Sequence, residues 1–181
     1  MTRVSDTAEF ANAIARAGAL PLVAEDLGET DAEVAALRDR LGLPGMRVLQ
    51  FAFGDDATNP FLPHHHVPNA VVYTGTHDND TTVGWWASRS ERERRWIRDY
   101  LGPGSGDIAW DLVRAGSASV ADTFVAPVQD VLSLGSEARL NTPGSGSGHW
   151  TWRLAEGELG TPLADRLRQL ALTYGRLAAR G

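Results

Sequence analysis

Ala70-Val-Val-Tyr-Thr-Gly-Thr-His-Asp-Asn-Asp80 is an unbroken apolar run that stops on a knot of polar side chains. No polar residue alternates with the apolar ones before Thr74, so the run suits a strand covered on both faces, as in parallel sheets. The same pattern recurs on either side. Upstream, Leu20-Pro-Leu-Val-Ala24 ends on Glu25-Asp26, and Met46 to Phe53 reads as a further strand leading to Asp55-Asp56. Downstream, Asp122-Thr-Phe-Val-Ala126 leads through Pro127 to Gln129-Asp130. Four strands are therefore expected, each delivering polar groups at its C-terminal end, where α/β enzymes hold their chemistry.

Helical signals fill most of the gaps. Asp6 with Glu9, Thr30 with Glu33 and Ser90 with Glu93 have capping-box spacing. They open helices expected to close near Gly18, Gly42 and Leu101, the second burying Val34, Leu37 and Leu41. Further helices are expected over Thr81 to Ala87, Asp107 to Ala115 and Gln129 to Leu134. A last one opens at Thr161-Pro162 and runs to about Ala179, with Leu163, Leu167, Leu170, Tyr174 and Leu177 inward. Gly54 to Asn69 is too long and polar for a simple connector, and Asn141 to His149 is rich in Gly, Ser and Pro. Strands alternating with helices indicate parallel βα units. A closed eight-stranded barrel takes roughly 250 residues, so 181 residues hold either a small open α/β domain or part of a barrel.

Composition removes several classes of chemistry. The chain has no Cys, and all 17 of its basic residues are Arg. Thiol nucleophiles, thiolate metal sites, Schiff bases and a P-loop lysine are excluded. A net charge of −6, with no basic stripe interleaved with aromatics, argues against a nucleic-acid partner. No apolar run approaches membrane-spanning length and the first residues lack a signal-peptide core, so no membrane association is expected and the cytoplasm is the expected location.

Glu25 and Asp78 each follow directly on an apolar strand. They could be a pair of carboxyls flanking a scissile bond, one protonated and one ionised, or simply a helix cap and a surface charge. His64-His65-His66 suggests a metal, but neighbours in an extended chain point in opposite directions and no His pair has i, i+4 spacing, so no metal is expected. Trp85, Trp86, Trp150 and Trp152 could stack on sugar faces or fill the core, whereas Trp96 and Trp110 lie on amphipathic faces and are expected in the core. Gly144-Ser-Gly-Ser-Gly148 follows no strand and opens no helix, which removes a phosphate cradle and a serine-hydrolase elbow.

Five runs together resemble one family: Ala24-Glu-Asp-Leu-Gly28, Leu43-Pro-Gly-Met-Arg-Val-Leu-Gln-Phe-Ala-Phe53, Asn59-Pro-Phe-Leu-Pro63, Val72-Tyr-Thr-Gly-Thr-His-Asp-Asn-Asp-Thr-Thr82 and Gly135-Ser-Glu-Ala-Arg-Leu-Asn-Thr-Pro-Gly144. They resemble the C-terminal part of the 4-alpha-glucanotransferases (amylomaltases, or disproportionating enzymes, of glycoside hydrolase family 77), from about Ala13 to Leu154. The resemblance implies the C-terminal half of a (β/α)8 TIM barrel, strands five to eight, with residues 1–181 as one partial catalytic domain. It implies retaining transfer of 1,4-α-glucan segments between maltooligosaccharides, without a cofactor. Glu25 matches the family's general acid/base and Asp78 the carboxylate that steadies the transition state, while Asp26, Asp55, His77, Asn79 and Asn141 fall in runs that resemble donor-sugar contacts. His149 stands where the family usually has Asn. The family's nucleophile lies in an Arg-x-Asp-His run, and none occurs here. The expectation is thus a C-terminal fragment, inactive alone and dependent on a missing N-terminal half. The alternatives are a non-catalytic α-glucan-binding module and a metal-dependent hydrolase.

Overall fold

The computed structural model describes residues 21–28, 32–54 and 56–177, with a few helical positions before residue 17. Helix α1 (Ala32–Arg40) precedes strand β1 (Gly45–Val48). A long connection with two 3-10 turns leads to β2 (Ala70–Tyr73). Helices α2 (Thr82–Ala87), α3 (Glu91–Leu101) and α4 (Ile108–Ala118) follow, then β3 (Thr123–Val125), α5 (Val128–Val131) and α6 (Thr161–Thr173). The three strands form one parallel sheet in the order β1-β2-β3, with Val48 opposite Tyr73 and Tyr73 opposite Val125.

The helix starts follow local chemistry. Thr81, Ser90 and Asp107 each accept an N-terminal amide through the side chain, and at Ser90 the Glu93 carboxylate returns the bond to complete a capping box. Leu49, Phe53, Leu62, Val72, Trp85, Ile97 and Leu112 make the main core between sheet and helices, and Trp110, Val113 and Val131 a smaller one against α6. Trp96 packs at the margin of the main core and Trp110 is buried, as their amphipathic spacing predicts.

Several expectations are corrected. Leu20–Ala24 does not form a strand: among its described residues the backbone makes one bond to β1's lead-in, Ala24 N–H to Pro44 O at 2.9 Å, and Leu22 and Val23 are exposed. The reason is local. Pro21 and Pro44 have no N–H to give, and the Met46 amide that a strand partner would use donates instead to the Asp26 carboxylate at 2.7 Å. The expected strand Met46–Phe53 stops at Val48, where the chain tightens into a 3-10 turn over Leu49–Phe51. In α1 Ala35, Leu37 and Arg38 are half-buried, as is Leu41 just beyond the helix, with Arg38 drawn in by Asp26, while Val34 is exposed and no residue of the helix is fully buried. In α6 the inner face holds Leu163, Arg166 and Leu170, the Arg166 guanidinium lying 3.6 Å over the Trp110 ring. That register leaves Leu167 outside, and the helix ends at Thr173, short of Ala179, with Leu177 exposed beyond it. The helix expected between Asp6 and Gly18, and the Thr30 cap, lie mostly or wholly outside the described residues.

Candidate active site

At the C-terminal end of the sheet a cleft of about 950 Å³ is lined by Glu25 and Leu27, Phe51, Asn59 to Phe61, Tyr73, Gly75 to Asn79, Val125, Pro127 and Pro143. Glu25 and Asp78, 53 positions apart in sequence, thus face one space. Among the described residues no hydrogen bond or ion pair engages the Glu25 carboxyl, and the residue is exposed. Such a carboxyl is left open to a ligand.

Asp78 is held differently. The turn that carries it is closed by Asn79, whose Oδ1 accepts from Thr76 N and Thr76 Oγ1, both at 2.8 Å. Gly75 opens this turn beside the Gln50 side chain, and a Cβ there would come within 2.7 Å of Gln50 Nε2. Gln50 in turn donates to Asp80 O at 2.9 Å, fixing the far side of the turn. At the carboxylate, Asn141 Nδ2 donates to Oδ1, and His77 Nε2 stands 3.3 Å from the same oxygen. Arg139 braces both segments, donating to Asp78 O and Asn141 O at 2.7 Å each. Among the described residues nothing engages Asp78 Oδ2, and the side chain is 48% exposed. One oxygen is anchored and the other is left for a ligand, the arrangement expected of a carboxylate that holds hydroxyl groups.

Beneath the turn, Asp130 is 1% exposed and accepts from Thr74 Oγ1, Thr82 N and Thr82 Oγ1. Burial raises its pKa against the lowering effect of these bonds. It joins the end of β2 to the start of α2 and so supports the loop between them. Tyr73, also on the cleft wall, has its phenol pKa raised by burial, which keeps it neutral.

The structure brings Glu25, His77, Asp78 and Asn79 to the cleft, and Asn141 to Asp78. Asp26 is not brought there. Its side chain, 6% exposed, pairs with Arg38 and with Arg47 at 3.5 Å on the other side of the segment. Asp55 lies outside the described residues. The His triplet is dispersed: His64 and His65 contact Ala57 O, while His66 is buried between Ser119 Oγ and Phe61 O, with its pKa lowered by burial. Trp85 is in the core and Trp86 packs against it. His149 stitches its own loop, accepting from Thr142 N at Nδ1 and meeting Ser145 Oγ at Nε2. Phe51, Phe61 and Tyr73 were not singled out from sequence, although they supply much of the cleft's apolar wall.

A second cavity of about 1070 Å³ opens beside the Gly102–Gly106 turn, lined by Trp86, Arg98, Asp107 and Asp111. Its two innermost carboxylates are committed, Asp107 to the α4 cap and Ser133, Asp111 to Ser105. The cleft at the strand ends is the better candidate.

Among the described residues no helix is long and apolar enough to cross a membrane. A family model described as 4-alpha-glucanotransferase matches residues 2–159. The 4-alpha-glucanotransferase of Thermus thermophilus is 51% identical over 168 residues, and that of Synechocystis sp. 49% over 172. The matches take in 88% and 93% of this chain but 34% of each relative, so the chain spans about a third of the length of the curated relatives it matches. A plant relative, from Arabidopsis thaliana, is described as chloroplastic/amyloplastic. Among solved structures, amylomaltase from Streptococcus agalactiae in complex with acarbose aligns with a TM-score of 0.88 at 28% identity, over 93% of this chain and 35% of that one. Amylomaltase from Corynebacterium glutamicum aligns at 0.55 with 19% identity, a likeness of fold. With the family model covering most of its residues, this chain belongs to the 4-alpha-glucanotransferases, glycoside hydrolase family 77.

Proposed function

We propose that this chain supplies the acid/base face of a retaining 4-alpha-glucanotransferase active site, working on 1,4-α-glucans. The observation that carries the reading is the shared cleft, where a Glu25 unengaged among the described residues faces an Asp78 anchored at one oxygen. Glu25 protonates the departing glycosidic oxygen, then takes the proton of the incoming sugar hydroxyl. Asp78, oriented by Asn141 and His77, holds hydroxyls of the reacting glucose, and Phe51 and Phe61 form an apolar wall that favours a sugar acceptor over water.

The segment ending at Ala24 together with β1, β2 and β3 corresponds, in this reading, to strands five to eight of a (β/α)8 barrel, with residues 1–181 as one partial domain. Support comes from the parallel order of the sheet and the likeness to amylomaltase. The nucleophile comes from a segment outside these residues, since no Arg-x-Asp-His run occurs among them. That segment also covers the sheet's two open flanks, the one beyond β1, where Leu22 and Val23 are exposed, and the one at β3, where Val125 is exposed.

The test is maltotriose disproportionation. The chain alone should yield no ladder of longer maltooligosaccharides. Mixed with the N-terminal two thirds of the Thermus thermophilus relative, it should yield one, abolished by Glu25→Gln. A ladder from the 181 residues alone, or one that survives Glu25→Gln, refutes the assignment.

A further inference from the structure

Trp150 is the residue hardest to account for by packing. Its φ of +60° lies in the left-handed region, where a bulky side chain is a genuine outlier, and the residue is 54% exposed. Strain of this kind persists only where the surroundings over-determine it. Here Trp150 N–H donates to Leu140 O at 2.7 Å, Arg153 Nη1 donates to Trp150 O at 2.8 Å, and His149 closes the preceding loop onto Thr142 and Ser145. Three sets of bonds hold an indole in the open. The ring lies 5.2 Å from the His77 imidazole at 33°, and His77 itself lines the cleft and flanks Asp78.

We propose that Trp150 is a carbohydrate-stacking platform at the mouth of the cleft, receiving the apolar face of a glucose ring next to the one Asp78 holds. The inference rests on the glucan reading of the site and adds a binding residue to it. Indole suits this task because its flat apolar face matches the C–H face of a glucopyranose while its N–H stays available to a hydroxyl. The backbone strain is the cost of aiming the ring outward, and the His149 loop closure maintains it. His77 serves twice, extending the platform and orienting Asp78 Oδ1.

The experiment is maltoheptaose binding to the 181-residue chain by calorimetry and tryptophan fluorescence, comparing wild type with Trp150→Phe, Trp150→Gly, Trp150→Ala and Asp78→Asn. Trp150→Phe should keep affinity within about threefold and lose most of the ligand-induced emission change, and Trp150→Ala should weaken binding about tenfold. Trp150→Gly relieves the positive φ while deleting the ring, so it should bind as poorly as Trp150→Ala with a Tm no lower than wild type. A merely structural Trp150 would instead lower the Tm in both truncations and leave affinity unchanged. If wild type binds and Asp78→Asn weakens binding while both truncations bind normally, Trp150 is no platform and the reading of the cleft stands. If wild type does not bind, or Asp78→Asn binds as well as wild type, the reading of the cleft fails and the platform with it.

Discussion

Replacing Asp130 by Ala would remove the support under the Gly75–Asp80 turn. Three donors converge on this carboxylate: the Thr74 hydroxyl, the Thr82 hydroxyl and the Thr82 amide, on residues with no exposed surface. A buried group left without a partner costs about 1–3 kcal/mol. The two hydroxyls can turn to other acceptors, but the amide is fixed in the first turn of α2. Loss of a poorly solvated charge returns part of the cost. The net expectation is a loss of about 2–4 kcal/mol. With a urea m-value of about 2 kcal/mol/M, the unfolding midpoint should fall by about 1–2 M at unchanged m. Asp130→Asn keeps an acceptor for the Thr82 amide and should lose about 1 kcal/mol.

The two variants also separate by pH. Asp130 has a folded pKa raised by burial, so the unfolded chain releases this proton first as pH rises. Wild type should therefore lose stability relative to Asp130→Asn as pH climbs from the ordinary carboxyl value through the raised one, and the difference should level off above it. Urea unfolding followed by circular dichroism from pH 3.5 to 8 reads both effects. An Asp130→Ala variant within about 0.5 kcal/mol of wild type, or equal in stability to Asp130→Asn, would show that the three bonds do not hold this turn.

Asp26→Ala leaves Arg38 and Arg47 without that partner and frees the Met46 amide, so stability should fall by about 2–4 kcal/mol in urea. Because the same contacts pin the segment bearing Glu25, hydrogen exchange at residues 22–27 should accelerate more than exchange in α4. His66 is buried with its pKa lowered by desolvation, so the unfolded chain binds a proton more readily than the folded one. Stability is then whole above about pH 6.5 and declines as pH falls from there toward the depressed folded value. His66→Gln should flatten that decline when unfolding midpoints are compared between pH 5 and 7.

Much of this architecture was legible because local signals agreed with the global fold. Ser90 with Glu93 marked a helix start that the structure realises as a complete capping box, and the unbroken run Ala70–Tyr73 marked a central parallel strand. The segment before Glu25 misled because its apolar composition says strand while Pro21 and Pro44 withhold the amides a ladder needs. Asp26 had a readable signal: consecutive residues of an extended segment point in opposite directions, so with Glu25 facing the cleft its neighbour must face away. In a continued strand Phe51 and Phe53 would share one face; the 3-10 turn after Val48 parts them, leaving Phe51 on the cleft wall and Phe53 in the core. The anchoring of Asp78 by Asn141 had no local signal. It spans 63 positions and depends on how the loop after α5 returns over the sheet.

A crystal structure of the 181-residue chain with bound acarbose would test the shared role of Glu25 and Asp78 most directly. The account predicts one inhibitor chain in the cleft, with Asp78 Oδ2 on sugar hydroxyls and the Glu25 carboxyl within hydrogen-bond reach of the linkage atom between two rings. Acarbose lodged elsewhere, or touching one of these carboxyls while the other faces empty solvent, would contradict it.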